Sequence, residues 1–245
     1  MKACVEGKGM KRGVYDFVFL ALKEELSEKD YDARKLEALV RNYSWFLSEY
    51  SLLRALLRSR LTVDRYKQSL DFLLQRHQAL AQEIKPRSTV LDVGCGLGLL
   101  VCLLAKKKCR VYGIDTEEDN LRVARRLSKL LNVEKLCFFQ EAKSDTLAFD
   151  ISTFDYVVLS WTLHDIKLEA REPLLSQCVR ILKSDGKLLI LDPESQLNFA
   201  QVQEMMSKQP VKRTPQKTLS TVYDHEAFSD AVLATYEKRA KNTHK

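Results

Sequence analysis

Val90-Leu91-Asp92-Val93-Gly94-Cys95-Gly96-Leu97-Gly98 carries an apolar strand pattern into an acid and then into three glycines at every second position. The run from Leu99 to Lys106 follows at once with the composition of a helix. A strand that turns on glycines into a helix N-terminus is a small-ligand cradle. Residues without a Cβ let backbone approach a ligand, and the first N–H groups of the helix have no intrahelical partner. In the dinucleotide fingerprint G-x-G-x-x-G the third glycine falls where this chain has Leu99. Asp92 stands two residues before the first glycine. A carboxylate there repels a pyrophosphate and suits an ammonium group. A nicotinamide-type site and an empty structural turn are the competing readings of the stretch.

Outward from it, short apolar runs alternate with amphipathic helices. Strands are expected at Thr89–Val93, at Arg110–Ile114 closing on Asp115, at Leu136–Gln140 ending at Glu141, at Phe154–Ser160, and at Lys187–Leu191 ending at Asp192-Pro193. Helices are expected at Glu117–Leu131 and Arg171–Leu182, with a turn at Lys183–Gly186. Such alternation with near-continuous apolar strands defines an α/β protein, a doubly wound and mostly parallel sheet covered on both faces. Ligands bind such sheets beyond the carboxyl ends of the strands, where all these acids fall.

Residues 1–85 read as an N-terminal helical region, 86–195 as the ligand-binding core, and 196–245 as a C-terminal helical and basic extension. In the first region Val14, Phe17, Leu36, Leu39, Tyr43, Phe46 and Leu70 recur at helical spacing, and Pro86 marks the end. In the last, helices are expected at Asn198–Lys208 and Asp224–Lys241, joined by a basic, proline-bracketed loop at Pro210–Lys217. No antiparallel strand pair is evident after the fifth strand. That predicts an exposed sheet edge, to be covered by a helix, a loop, a second copy or a partner subunit.

Asp92, Gly94, Gly96 and Gly98 at the end of a first strand resemble the first motif of class I S-adenosylmethionine (SAM) dependent methyltransferases. The resemblance covers about residues 64–195 and implies a Rossmann-like fold with SAM as cofactor. It implies that the Asp92–Gly98 loop, Cys95 included, holds the methionine part. It places Asp115, 17 positions after Gly98, on the ribose hydroxyls, with Thr116 beside it. A carboxylate accepts two hydroxyl hydrogen bonds at once, and charged acceptors make the stronger ones. Glu141-Ala142 falls where the family sets an acid near the adenine, with Asp145 a competitor. Ser160-Trp161-Thr162-Leu163-His164-Asp165 is similar to the Leu-His-Asp segment of small-molecule enzymes such as those of quinone biosynthesis, and sets Ser160 and Trp161 along the cofactor. Arg180 to Ile190 resembles the family's Arg-x-Leu-Lys-Pro-Gly-Gly stretch, with Ser184 and Asp185 as departures. The Asp/Asn-Pro-Pro-Tyr/Phe motif of enzymes that methylate base or glutamine amino groups would occupy Ser160–Leu163, and it is not there.

Methyl transfer to an acceptor that carries a proton needs a base. His164 is the histidine of the catalytic region, and an imidazole with a pKa of about 6.5 suits that role. The competing reading has His164 capping a helix or shaping the pocket wall. Asp165 reads as the N-cap of the following helix. The six cysteines show no C-x-x-C spacing and fall mostly in apolar runs. They read as small buried hydrophobes in a reducing cytoplasm, with no metal site. No apolar run reaches the roughly 18–20 residues of a membrane span, and the N-terminus lacks a signal-peptide core. The expectation is therefore a cytoplasmic methyltransferase acting on a small-molecule acceptor. A net charge of +7 keeps an RNA or protein acceptor in play, and a catalytically silent subunit supporting a partner is the third reading.

Overall fold

The computed structural model describes residues 76–142, 147–219 and 230–240. The chain divides into two compact units, Met1–Gln78 and Ala79–Lys245, and the elements below belong to the second. The helices expected between Val14 and Leu74, Asp145, and residues 224–229 and 241 of the last expected helix lie outside the described residues.

Five parallel strands, β1 (Thr89–Val93), β2 (Arg110–Asp115), β3 (Cys137–Glu141), β4 (Phe154–Ser160) and β5 (Leu182–Pro193), stand in the order β3-β2-β1-β4-β5. The chain therefore works outward from β1 to one side, then crosses back to β4 on the other. β1 and β4 are neighbours whose following loops part, the switch point at which such sheets bind ligands. The central strands are apolar on both sides because helices cover both faces.

α1 (Leu99–Lys106) is buried from Leu99 through Ala105, so it shows almost no polar face. α2 (Glu118–Leu130) has Glu118 and Asp119 in its first turn, where they complement the helix dipole. It turns Leu121, Val123, Ala124 and Leu127 inward. Lys106 Nζ donates to Leu131 O at 2.6 Å and so caps the end of α2. Lys107 Nζ donates to the carbonyls of Ala81 and Ile84. Two members of the 106–108 basic run are thus helix-capping groups rather than free surface charge. Of the six cysteines, the five described ones are all buried and free, and burial pushes the Cys178 thiol up to about 12.

α3 (Leu168–Ile181) begins three residues before the expected start at Arg171. Proline is favoured in a first helical turn, which makes Pro173 look like one. The extra residues are held by Arg171, whose Nε donates to Ile166 O at 2.8 Å and whose Nη2 donates to His164 O at 3.0 Å. Lys183–Gly186 does not separate a helix from a strand. β5 starts at Leu182, and the segment is a register shift in its pairing with β4.

The C-terminal expectation is corrected. α4 (Phe199–Ser207) is a helix as expected, N-capped by Asn198, whose Oδ1 accepts from the Ala200 and Gln201 amides. The proline-bracketed loop instead holds two short strands, β6 (Val211–Arg213) and β7 (Lys217–Leu219), and 231–238 is strand β8 (Ala231–Lys238), not helix. β8 runs antiparallel to β5 over seven residue pairs, and β6 and β7 both pair with its other side. The sheet edge beyond β5 is therefore covered by this chain's own strand, and the uncovered edge that motivated a partner subunit does not exist. With neighbours on both sides, Ala231 to Tyr236 are all buried. An apolar run without alternation cannot be told from a buried helix by its periodicity.

Tyr236 is fully buried, yet its hydroxyl has no hydrogen-bond partner. Tyr236→Ala is expected to lower unfolding free energy by about 3–5 kcal/mol. Tyr236→Phe should be neutral or stabilising by about 1 kcal/mol, because it removes an unsatisfied group. Urea titration of both variants checks this.

Candidate active site

The carboxyl ends of the five parallel strands set the site. Val93 runs into Gly94, Gly96 and Gly98, which have φ of 73°, 51° and 72°. The Gly94 and Cys95 amides both donate to Ile114 O at 2.9 Å, and the Gly96 amide donates to Asp115 Oδ2 at 2.8 Å. The glycine loop is thus folded back onto the end of β2. A Cβ on Gly98 would lie 2.7 Å from Ala124 Cβ, so the absence of one lets α1 start hard against α2.

Asp115 is the most heavily used group of the site. Its Oδ2 takes the Gly96 amide, and its Oδ1 takes the Glu117 amide at 3.0 Å and Asn120 Nδ2 at 3.2 Å. A carboxylate has about four acceptor positions, so three are engaged. Asp92 is buried on β1. Cys95 lies between these two acids. Burial first, then the charges of Asp92 and Asp115, push its thiol well above the ordinary value.

Across the switch point, the segment after β4 is pinned in place. The Trp161 amide donates to Leu191 O at 2.8 Å, and Trp161 takes φ +56° while buried. That conformation costs a bulky residue on the order of 1–3 kcal/mol and persists only where its surroundings over-determine it. Thr162 Oγ1 lies 3.0 Å from Val93 O and 3.2 Å from Ser160 O. A Cβ on Gly94 would sit 2.6 Å from that same Oγ1. The loops after β1 and β4 are therefore fitted to one another through Gly94 and Thr162. The Ser160 hydroxyl, at the carboxyl end of β4, is buried and has no partner.

His164 lies in a short 3-10 turn, Leu163–Asp165. Its Nδ1 is 2.6 Å from Asp192 Oδ1, and its Nε2 is 3.4 Å from Asp165 Oδ1. Asp192 has no exposed surface, and its Oδ2 accepts from the Leu163 amide at 3.1 Å. Burial alone lowers the His164 pKa. The hydrogen bond and charge of Asp192, with Asp165 behind, outweigh it and hold the pKa above its ordinary value, Arg171 opposing. Burial pushes the Asp192 carboxyl up as well, against the pull of His164 and the Leu163 amide. The expectation that Asp165 caps the next helix is corrected. α3 has Lys167 at its N-cap and no side-chain cap, and Asp165 faces the imidazole.

Of the expected site residues, Asp92, Gly94, Cys95, Gly96, Gly98 and Asp115 form one connected loop, and Ser160, Trp161 and His164 line the facing segment. Thr116 and Glu141 are exposed on the β2–β3 side, where the Ala142 amide donates to Asp115 O at 3.1 Å. Thr162, Asp192 and Asn120 were not singled out. Asp192 was legible as an acid at a strand's carboxyl end. Its pairing with a histidine 28 positions away was not.

Residues 91–190 match the sequence profile of the family described as "Methyltransferase domain". Over that stretch, about two fifths of the chain, it is similar to a methyltransferase domain. Over 138 residues it is 36% identical to the mitochondrial ubiquinone biosynthesis O-methyltransferase of Bos taurus, which covers 52% of this chain and 35% of that protein. Over 125 residues it is 30% identical to the demethylmenaquinone methyltransferase of Symbiobacterium thermophilum, with 50% and 47% covered. The chain thus spans less than half the length of each of these relatives. The fold matches a TehB-like SAM-dependent methyltransferase from Corynebacterium glutamicum with a TM-score of 0.60 at 16% identity, over 83% of this chain and 100% of that one. The residues present fit SAM, the cofactor that the resemblance implies: two acids flank the glycine loop, and an orphaned Ser160 hydroxyl lies at the switch point.

Two outcomes are expected from this geometry. Gly94→Ala should destabilise the fold by about 1–3 kcal/mol, and less in a Thr162→Ala background, with a coupling of at least about 0.5 kcal/mol in a double-mutant cycle by denaturant titration. For His164, a raised folded-state pKa adds stability that is present below about pH 6.5 and lost as pH rises through the folded value. The stability difference between wild type and His164→Gln should therefore be largest in mild acid and shrink towards pH 9. A difference independent of pH would contradict the assignment.

Proposed function

We propose that the domain transfers the SAM methyl group to a small-molecule acceptor, with Asp92, Gly94, Cys95, Gly96, Gly98, Asp115, Thr116, Glu141, Ala142, Ser160 and Trp161 along the cofactor and His164 as the base. The observation that carries this reading is the meeting of two pieces at the β1–β4 switch point. One is an acid-flanked glycine loop. The other is a histidine positioned by a buried carboxylate. The missing amino-methylation motif and the two quinone-pathway relatives favour a small molecule over RNA or protein.

When bound, the cofactor supplies an electrophilic methyl group on a sulfonium. The chain's part is to align donor and acceptor and to exclude water, which is where most of the rate of an in-line displacement comes from. Asp92 and Asp115 favour the positive ligand. Asp115 also holds the Gly96 amide. A ribose that takes both its oxygens must share them with the loop, so cofactor binding and loop geometry are coupled through one side chain. His164 accepts the acceptor's proton.

Calorimetric titration with SAM and with S-adenosylhomocysteine is expected to show micromolar binding. Asp115→Ala should weaken it by roughly 10- to 100-fold, the loss of a charged hydrogen-bond partner. Silence in the wild type refutes the cofactor reading of these residues, and undiminished binding in the variant removes Asp115 from the site.

A further inference from the structure

We propose that Asp192 is the positioning residue of His164: it keeps the proton on Nδ1 and leaves Nε2 to take the proton of an acceptor hydroxyl. The proposal rests on the methyl-transfer reading above and deepens it: that reading sets the carboxylate beside the histidine, and the proposal says which nitrogen it controls.

The geometry leaves the carboxylate little choice. Asp192 sits in the last turn of pairing of β5, opposite Val232 of β8, with no exposed surface. Its Oδ2 is claimed by the Leu163 amide at 3.1 Å, a group that can only donate. Its Oδ1 is left facing His164 Nδ1 at 2.6 Å. An ionised carboxylate only accepts, so Nδ1 must carry the hydrogen. The tautomer is thus dictated by a backbone amide one residue before the histidine. The ring cannot easily turn away from this partner. Its carbonyl is held by Arg171, Trp161 is tied to Leu191, and Thr162 is wedged at Gly94. Orientation of a base's second nitrogen by a buried carboxylate is how an imidazole is kept in its working tautomer and its charged form stabilised.

Among the described residues, three charged groups face the imidazole: Asp192 from β5, Asp165 from the same 3-10 turn, and Arg171 from α3. Nε2 points to Asp165 Oδ1 at 3.4 Å, and that carboxylate is half exposed. In the protonated ring Nε2 is paired with Asp165 by charge, at ion-pair distance. In the neutral ring its lone pair faces a carboxylate that is free to move into solvent, and the acceptor hydroxyl takes that place. In the transfer, Nε2 takes the hydroxyl proton as the oxygen lone pair forms the bond to the methyl carbon. The carbon–sulfur pair stays on sulfur, and the imidazolium later releases its proton to water beside Asp165. Such a dyad contributes nothing to a nucleophile with no proton to lose, so it points to a hydroxyl rather than a tertiary amine or a thioether.

Long-range 1H–15N NMR of the full chain tests this without knowledge of the acceptor, with the His164 signals assigned against H164Q. In the neutral wild type we expect a protonated Nδ1 and an unprotonated Nε2, with a titration midpoint above the roughly 6.5 of free histidine. In D192N the asparagine oxygen keeps the Leu163 amide and its NH2 turns to Nδ1. The neutral ring should then carry its proton on Nε2, and the midpoint should fall below that of the wild type. A wild-type ring with the proton on Nε2 overturns the proposal, as does an unchanged tautomer in folded D192N. If D192N does not fold, the wild-type tautomer decides alone. The same samples titrated with S-adenosylhomocysteine separate the two levels. Absent cofactor binding with the expected tautomer defeats the methyl-transfer reading and not the positioning of His164, and the reverse result defeats only the latter.

Discussion

One steric constraint organises the functional end of this molecule: Thr162 occupies the volume that a side chain on Gly94 would need. The two residues lie on the loops that leave β1 and β4, the pair of strands between which the chain reverses its direction of winding. Because they are fitted together, the glycine loop and the His164 turn cannot be positioned independently. The Thr162 hydroxyl adds its bonding to Val93 O, so the contact is directional as well as steric.

From that contact two polar networks run outward on opposite sides. On the β2 side, Asp115 gathers the Gly96 amide, the Glu117 amide and Asn120, and so couples the glycine loop to the start of α2. On the β5 side, Asp192 gathers the Leu163 amide and the His164 ring, and Arg171 ties the turn to α3. Each network is centred on a carboxylate at the carboxyl end of a strand. The first is only half-buried at Asp115. The second is dry, which strengthens its effect on the imidazole, since an interaction between charges grows as the local dielectric falls. The strained Trp161 backbone lies between the two, held by Leu191.

The remainder of the sheet gives this end its rigidity. β8 inserts between β5 and the short strands β6 and β7, so the strand that carries Asp192 is paired on both sides. The outermost segment, 211–219, is blunted by Lys212, Lys217 and Pro215, and its pairing to β8 is interrupted after Thr214, whose amide still donates to Thr235 O. Edges with lysine, proline and broken pairing resist further strand addition.

The strands β1 to β4, the glycine turn and the acid at each strand end were legible in the sequence, because local chemistry sets them. An apolar β-branched run, a helix-starting glycine and an Asp before a helix act over a few residues. The glycine loop and acids proposed to hold the cofactor were legible for the same reason. Three things were decided only in the folded chain. The strand at 231–238 reads as a helix until its two-sided burial is known. The helix expected from Arg171 begins at Leu168 because Arg171 bonds back to the carbonyls of Ile166 and His164. Asp192 becomes the partner of His164 only when β4 and β5 lie side by side, since a contact across 28 residues leaves no trace in local pattern. Short-range propensity wrote the elements, and long-range packing chose which side chains meet.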